Sequence, residues 1–288
     1  MTMRVRILTA VVAALTVVAS VQTILAQEVA GSSHAVITPF QDLHNDASLD
    51  GSLHLANQRF IILMYQNAVA VYSEATFTNV SGDTLHTELA LPSHGYRVSM
   101  DGSAVYNSNL YGPRVWVAGD RLQVTTEETD EAEWYTVRPV FAPGQIKTLK
   151  ALYWVPTEID AIDAEPPSDS GAIAPGKRHW QIRLSDANGW QGMIGNVDVH
   201  VIVKDGLAEE LSAIRLRPKS YESKDSVLTW SFSNIKPGES QNIHCAFDTP
   251  VRGKSGTLVP SELNTLPELA GELTKGGYDE LLRLADKQ

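Results

Sequence analysis

Hydrophobic and polar residues alternate along most of the chain between about residue 67 and residue 250. Val69 and Val71 share one parity, while Tyr72 and Glu74 share the other. A period of two is the period of a β-strand, whose successive side chains point to opposite faces of a sheet. The pattern therefore predicts a chain that is mainly β.

Turn-forming residues divide the alternating stretches into short strands. The turn at residues 81–83 predicts a hairpin between strands at 69–78 and 85–91. A second hairpin is predicted around the Gly119-Asp120 turn. Short strands that are joined by such turns indicate a β-sandwich or a barrel rather than βαβ units.

Two Pro-Gly turns precede strands with the same pattern. Apolar residues stand six, eight and ten positions after Pro143 and again after Pro237. Any Pro-Gly turn before an amphipathic strand could give these offsets, but the repeat favours two similar sandwiches over one large barrel. The residues that are expected to face inward are Leu149, Ala151, Tyr153, Ile243, Cys245 and Phe247.

The stretch at 161–177 breaks the alternation with prolines, glycines and acids, which is linker composition. We therefore predict two consecutive immunoglobulin-like antiparallel β-sandwich domains with a short helical C-terminal tail, where leucines recur at helical spacing. The predicted organisation is a signal peptide at 1–26, an N-terminal extension at 27–51, a first lobe at 52–160, the linker at 161–177, a second lobe at 178–250 and the tail at 251–288.

The beginning of the chain has the order of a secretory signal peptide. Arg4 and Arg6 precede an uncharged, mostly apolar stretch at 7–21. Ala26 offers a small residue where a signal peptidase would cut, so we predict cleavage after Ala26. The expected location is the periplasm or the extracellular medium.

An uncleaved membrane anchor is the alternative, because residues 7–26 have about the length that spans a bilayer. The polar residues near the end of this stretch favour the signal peptide instead. A bacterial lipid anchor needs a Cys at the new N-terminus, and the one Cys of the chain is Cys245. We therefore expect no membrane span after signal removal.

Charge narrows the range of partners. The net charge is −11, and loss of Arg4 and Arg6 with the leader leaves 21 basic against 34 acidic residues, a net charge of −13. An acidic chain argues against a nucleic-acid or anionic-membrane partner, whose phosphates need clustered Lys and Arg. The single Cys excludes an internal disulfide.

Motif searches indicate neither a catalytic centre nor a cofactor. The nucleophile elbow, the zinc-peptidase helix motif and the glycine-rich phosphate loops are all absent from the sequence. Asp160, Asp163 and Glu165 are weak calcium candidates, because calcium prefers several oxygen ligands from one loop. A solvated acidic loop is the more common explanation for such residues, since the order of a calcium loop is not matched.

A carbohydrate-active hydrolase is the rival reading from another class. It would place two carboxylates about 5–10 Å apart across the cleft between the lobes, beside exposed aromatic rings. Six tryptophans supply candidate rings, although we expect at least half of them to be buried in strands.

Four strings in the sequence form a distinctive set. A strand ends in an asparagine turn at Asn79, and Leu89-Ala90-Leu91-Pro92 follows it. An aromatic-rich segment with a Pro-Gly turn lies at 135–153, and Trp-Gln-Gly-Met-Ile-Gly lies at 190–195. In these strings the chain resembles bacterial secreted proteins that carry two immunoglobulin-like β-sandwich lobes, of a domain-of-unknown-function type. The resemblance covers about residues 52–249 and implies a fold and export, but no activity, cofactor or site residue.

The sequence thus predicts a secreted or periplasmic, non-enzymatic protein that binds an unknown protein or glycan ligand. A carbohydrate-active hydrolase remains one alternative. An envelope assembly component, held by the helical tail, remains another.

Overall fold

A computed structural model of the chain describes residues 35–43, 51–65, 68–94, 110–129, 133–159, 176–190, 192–203, 214–224 and 227–249. These residues form nineteen strands and two short 3-10 turns, Leu184–Gly189 and Glu239–Gln241. The strands are β1 (Ala35–Ile37), β2 (Gln41–Asp42), β3 (Leu53–Met64), β4 (Ala68–Asn79), β5 (Leu85–His86), β6 (Leu89–His94), β7 (Tyr111–Val117), β8 (Asp120–Leu122), β9 (Thr125–Glu128), β10 (Glu133–Val137), β11 (Val140–Phe141), β12 (Ile146–Pro156), β13 (Glu158–Ile159), β14 (Gly176–Ile182), β15 (Ile194–Val203), β16 (Arg215–Arg217), β17 (Glu222–Lys224), β18 (Val227–Ile235) and β19 (Ile243–Thr249).

The mainly β prediction is confirmed, and the strands form several sheets. A large sheet has the order β17-β18-β15-β3-β4-β12-β7-β8. A five-stranded sheet has the order β1-β14-β19-β16 with β13 beside β14, and a four-stranded sheet has the order β2-β6-β10-β9. β5 and β11 form a separate pair. Within the described part of the chain there is no α-helix, and no helix is long and apolar enough to cross a membrane.

The large sheet differs from the expectation of two separate lobes, because it joins strands from both sides of the predicted linker. β15 pairs in parallel with β3, from Asn196 opposite Asn57 to Val203 opposite Met64. Gly195 permits this close approach, since a Cβ atom there would lie 3.1 Å from the carbonyl oxygen of Ala56. Alternation reveals which face a residue takes but not which strand lies next to it, so the pairing could not be read from the pattern.

The core is likewise shared. One cluster of buried residues extends from the inner face of the large sheet to the other sheets. Ile37 and Phe40, from the predicted N-terminal extension, are 0% and 1% exposed. This extension supplies β1 to the five-stranded sheet and β2 to the four-stranded sheet, so it ties the two smaller sheets together.

The hairpin predicted around residues 81–83 is wrong in its partners. β4 pairs with β3 and β12, while β5 pairs with β11 and β6 pairs with β10. The reason is Asn79, which is fully buried at the end of β4. Its Nδ2 donates to the carbonyl oxygens of Asp83, Phe141 and Ala142 at 2.8, 3.1 and 3.0 Å, so the chain turns toward β11 rather than back along β4.

The residues predicted to face inward on the strands after the two Pro-Gly turns, β12 and β19, are all buried. β12 belongs to the large sheet, however, and β19 belongs to the five-stranded sheet. Four of the six tryptophans are buried, which meets the expectation of at least half. The predicted signal peptide, its cleavage after Ala26, nearly all of the linker and the whole helical tail lie outside the described residues.

Candidate functional site

A groove opens at one edge of the structure, where the chain passes from the large sheet to the four-stranded sheet. β7 and β8 form the hairpin that was predicted at Gly119-Asp120, with Val115 opposite Leu122. After Leu122 the chain crosses directly into β9, the edge strand of the four-stranded sheet. We call this shallow, open depression the edge groove; its volume is about 560 Å³, and it is lined by Pro113, Arg121, Leu122, Gln123, Val124, Thr126 and Tyr135.

The floor of the edge groove is apolar and anchored. Leu122, Val124 and Tyr135 are partly buried and pack against the main core. Tyr135 lies on β10, where it pairs with Thr126 of β9. Leu122 and Tyr135 lie on strands, and Val124 lies in the two-residue link between β8 and β9, so the floor is formed before any ligand arrives.

Two arginines stand beside each other at this edge. Trp116 of β7 lies opposite Arg121 of β8, and Arg114 lies two residues before Trp116 on the same face. Diagonal neighbours of this kind are about 7–8 Å apart between Cα atoms. Both guanidinium groups therefore project from one side of the β7–β8 hairpin, and Arg121 also lines the groove.

The electrostatics of the pair are unfavourable in the free protein. Partial burial lowers the pKa of Arg114, and the positive charge of Arg121 lowers that pKa further. Within the described part of the chain, neither arginine forms an ion pair with a carboxylate. The edge therefore concentrates positive charge in a protein whose net charge is −11.

Carboxylates and aromatic rings meet elsewhere, on the face of the large sheet that points away from the main core. We call it the outer face. Arg59 lies between Glu74 and Asp198, with a nitrogen 3.9 Å from each carboxylate. Lys150 adds a contact of 3.2 Å to Glu74, and the hydroxyl of Tyr72 donates to Glu74 at 2.9 Å.

This arrangement bears on the hydrolase alternative. Glu74 and Asp198 occur on β4 and β15, which flank β3, so their Cα atoms are about 10 Å apart. A basic side chain fills the space between them, and both lie on one open sheet face rather than across a cleft. Glu74, Arg59 and Asp198 therefore form a row of ion pairs across the neighbouring strands β4, β3 and β15, which we call the ion-pair row.

His200 continues the outer face beside this row. Its Nδ1 lies 3.1 Å from the hydroxyl oxygen of Thr229 on the neighbouring strand. Burial lowers the pKa of His200, Asp198 opposes that shift, and Arg59 adds to it. The ring is therefore held mainly in its neutral form at physiological pH.

Cys245 faces inward, as predicted. It is 2% exposed, and its Sγ lies 3.9 Å from Sδ of Met64. Burial raises the pKa of the Cys245 thiol, and the neighbouring Trp180 only partly offsets this. A buried neutral thiol is a packing group rather than a nucleophile.

The weak calcium candidates Asp160, Asp163 and Glu165 all lie outside the described residues. Among the residues that are described, no group of three or more His, Cys, Asp or Glu side chains is placed to hold a metal ion. Sequence reasoning missed Arg114 and Arg121. The signal was available, because a hairpin at Gly119-Asp120 puts these two residues on one face.

Comparison with known proteins finds no matching family model and no matching curated protein. A protein from Legionella pneumophila, whose crystal structure is described as that of a proposed nutrient-binding protein, matches 68% of this chain and 67% of its own, with 14% identity and a TM-score of 0.50. At that identity the match shows the fold alone.

Two enzyme structures match more weakly. An M1 zinc metallopeptidase from Deinococcus radiodurans has 13% identity and a TM-score of 0.35 over 68% of this chain. Native yeast LTA4 hydrolase has 8% identity and a TM-score of 0.39 over 68% of this chain. This chain spans 42% and 29% of their respective lengths, and neither match supports an argument about function.

Proposed function

We propose that this protein is a non-enzymatic binding protein that is exported to the periplasm or the medium and holds a small ligand in the edge groove. The observation that carries the proposal is the groove itself, an open depression of about 560 Å³ with an apolar floor and a polar rim. Ligand sites in proteins occupy about 300–1,000 Å³ and combine these same two elements. The fold shared with a proposed nutrient-binding protein agrees with this role.

Each part of the groove has a distinct task in binding. Tyr135, Leu122 and Val124 offer apolar surface to the body of a ligand, and Tyr135 adds a ring that can stack. Gln123 and Thr126 are exposed at the rim and can exchange hydrogen bonds with polar groups. No nucleophile or general base is needed for this task.

The binding test uses the purified protein and a panel of small metabolites, with calorimetry as the readout. We expect at least one panel member to bind, and Tyr135→Ala to weaken that binding about tenfold or more. The matched control is Tyr221→Ala, because Tyr221 is another partly buried tyrosine but packs on Trp230 in the other half of the chain. Binding that resists Tyr135→Ala would overturn the groove as the site.

Export is tested separately from binding. We expect the protein from fractionated bacterial cells to occur outside the cytoplasm, with an N-terminal sequence that begins at Gln27. Retention in the cytoplasm with an intact Met1 would overturn this part of the proposal. An intact leader in the membrane fraction would support the uncleaved anchor instead.

A further inference from the structure

We propose that the predicted helical tail at 251–288 docks on the outer face of the large sheet and covers an apolar cluster there. The cluster shares no residue with the edge groove, so either assignment can fail without the other. Burial of the cluster, the place where the tail begins and the pattern of the tail each support this docking.

The apolar cluster lies on the part of the outer face nearest the β3–β4 turn. Its buried members are between 1% and 6% exposed and are Ile61, Ala70, Tyr72, Leu152 and Ile202. The described hydrophobic residues that pack against them are Leu63, Tyr65, Trp116 and Val227, and each belongs to the large sheet or directly follows β3. The sheet therefore supplies one side of this cluster, and its other side needs a cover from elsewhere in the chain or from a second molecule.

Burial changes abruptly along the outer face. Arg59 lies two residues before Ile61 on the same face of β3, yet its side chain is 48% exposed, whereas Ile61 is 1% exposed. A sheet face without a second layer stays in contact with water, and such a face is buried only by packing against another layer. The apolar half of the outer face is therefore covered, while the charged half stays open.

The tail begins at the end of the molecule where this cluster lies. β12 leaves the large sheet at Pro156, beside the β3–β4 turn, and three residues later Ile159 lies opposite Arg178 of β14. Arg178 in turn lies opposite Phe247 of β19, which ends at Thr249. Strands lie about 5 Å apart and rise about 3.3 Å per residue, so the last residue of β19 lies within about 20 Å of the end of β12.

The tail is long enough to reach the outer face from there. Residues 250–265 can span about 50 Å when extended, whereas packed sheets are about 10 Å apart. The chain can therefore pass the end of the sheets before its first apolar stripe begins.

The sequence of the tail has the pattern that the cluster needs. Apolar residues stand at positions i, i+3, i+4 and i+7 at 266–273 and again at 278–285, which places them on one face of a helix. Thr265 and Glu268 form a capping-box pattern at the start of the first stripe. Helices this short are marginal in water and gain their stability from packing of the apolar face. The stretch at 160–175, which follows β13, contains three prolines and lacks such a stripe.

Charge agrees with this docking. Residues 261–274 carry three acidic residues and no basic one. Arg114 lies opposite Leu152 of the cluster and forms no ion pair with a carboxylate among the described residues. Opposite charges on two surfaces favour their association and fix its orientation.

Two tryptophans report on the cover. Trp116 packs against the cluster, and Trp154 lies opposite Ala70. Both are partly buried, whereas the other four tryptophans are buried, so acrylamide quenching of tryptophan fluorescence responds chiefly to this face. Leu266→Glu with Leu269→Glu places two charges in the apolar stripe and should raise the quenching constant about twofold or more, because undocking exposes both rings.

The matched control is Asn264→Glu with Lys275→Gln, which lowers the net charge by the same amount but lies outside the stripe. It should leave quenching as it is in the unaltered protein. Circular dichroism checks that the strands remain folded in both variants. Equal quenching in the stripe variant and the control would overturn the docking.

Photo-crosslinking identifies the cover directly, in the exported protein with its tail intact. Tyr72→p-benzoylphenylalanine places a photoreactive ring in the cluster, and Val140→p-benzoylphenylalanine is the control, because Val140 is exposed on β11. We expect mass spectrometry to find the label at position 72 joined to a peptide from 251–288, and the label at position 140 joined to no such peptide. A product with another stretch of the chain, a product of two copies, or no product at position 72 would each overturn the tail as the cover.

Discussion

Arg59 and the Arg114–Arg121 pair project from the same outer face of the large sheet, yet they have opposite surroundings. Arg59 occupies the central strand and is flanked by Glu74 and Asp198. The pair occupies the β7–β8 edge and has no acidic partner among the described residues. The large sheet therefore neutralises charge at its central strands and leaves two positive charges uncompensated at its β7–β8 edge.

The largest expected effect comes from the centre of the sheet. Phe60 on β3 is 0% exposed, so Phe60→Ala should remove about 3–5 kcal/mol from the free energy of unfolding. Urea denaturation measures this loss. Val80→Ala is the control, because Val80 is 56% exposed and should cost little. Equal losses in the two variants would break the distinction between centre and surface.

A buried hydroxyl on the inner face gives a smaller effect of opposite sign. Tyr153 is 2% exposed, and its hydroxyl has no hydrogen-bond partner among the described residues. Tyr153→Phe removes this unpaired group and should raise the free energy of unfolding by about 1 kcal/mol. Tyr72→Phe is the contrasting variant, since the Tyr72 hydroxyl does donate to Glu74. If Tyr72→Phe also raised the free energy of unfolding, the hydrogen bond from Tyr72 to Glu74 would contribute nothing to stability, which would contradict this contrast.

Breaking the ion-pair row at Arg59 should cost little. The Arg59 side chain is 48% exposed, so solvent screens its contacts, and Arg59→Leu should lower the free energy of unfolding by about 0.5–1 kcal/mol. The cost should shrink in high salt. A loss of stability as large as that of Phe60→Ala would contradict this prediction.

The smallest effect concerns pH. The pKa of His200 is lowered from its ordinary value of 6.5, chiefly by burial. Below pH 6.5 the unfolded chain takes up a proton that the folded chain resists, so stability is complete above that pH and falls as pH drops. His200→Gln should flatten the decline in melting temperature between about pH 7 and about pH 5. A profile that His200→Gln leaves unaltered would contradict this assignment.

The sequence predicted which way residues face but not which strands are neighbours. The inward positions of Leu149, Tyr153 and Cys245 followed from a local period of two. The partnership of β3 with β15 brings Gly195 close to Ala56, a contact between segments far apart in sequence that a local pattern does not encode. Predicted lobes therefore became parts of one sheet.

The candidate site was predictable in part. The Gly119-Asp120 turn fixes the register of β7 and β8, and the register alone places Arg114 and Arg121 on one face. The apolar floor was not predictable, because Tyr135 comes from another sheet whose position depends on tertiary packing. The residues that share one face of a hairpin could be predicted from the sequence, whereas the groove between two sheets could be found only from the folded structure.

The parallel pairing of β3 with β15 has a consequence for synthesis. When the first 160 residues have been made, β3 already has β4 on one side, but its other backbone edge has no partner until residues 196–203 follow. An unpaired strand edge is a template for aggregation, and contacts so distant in sequence slow folding. The nascent chain must therefore keep the middle of its largest sheet from associating with other molecules until its final third has arrived.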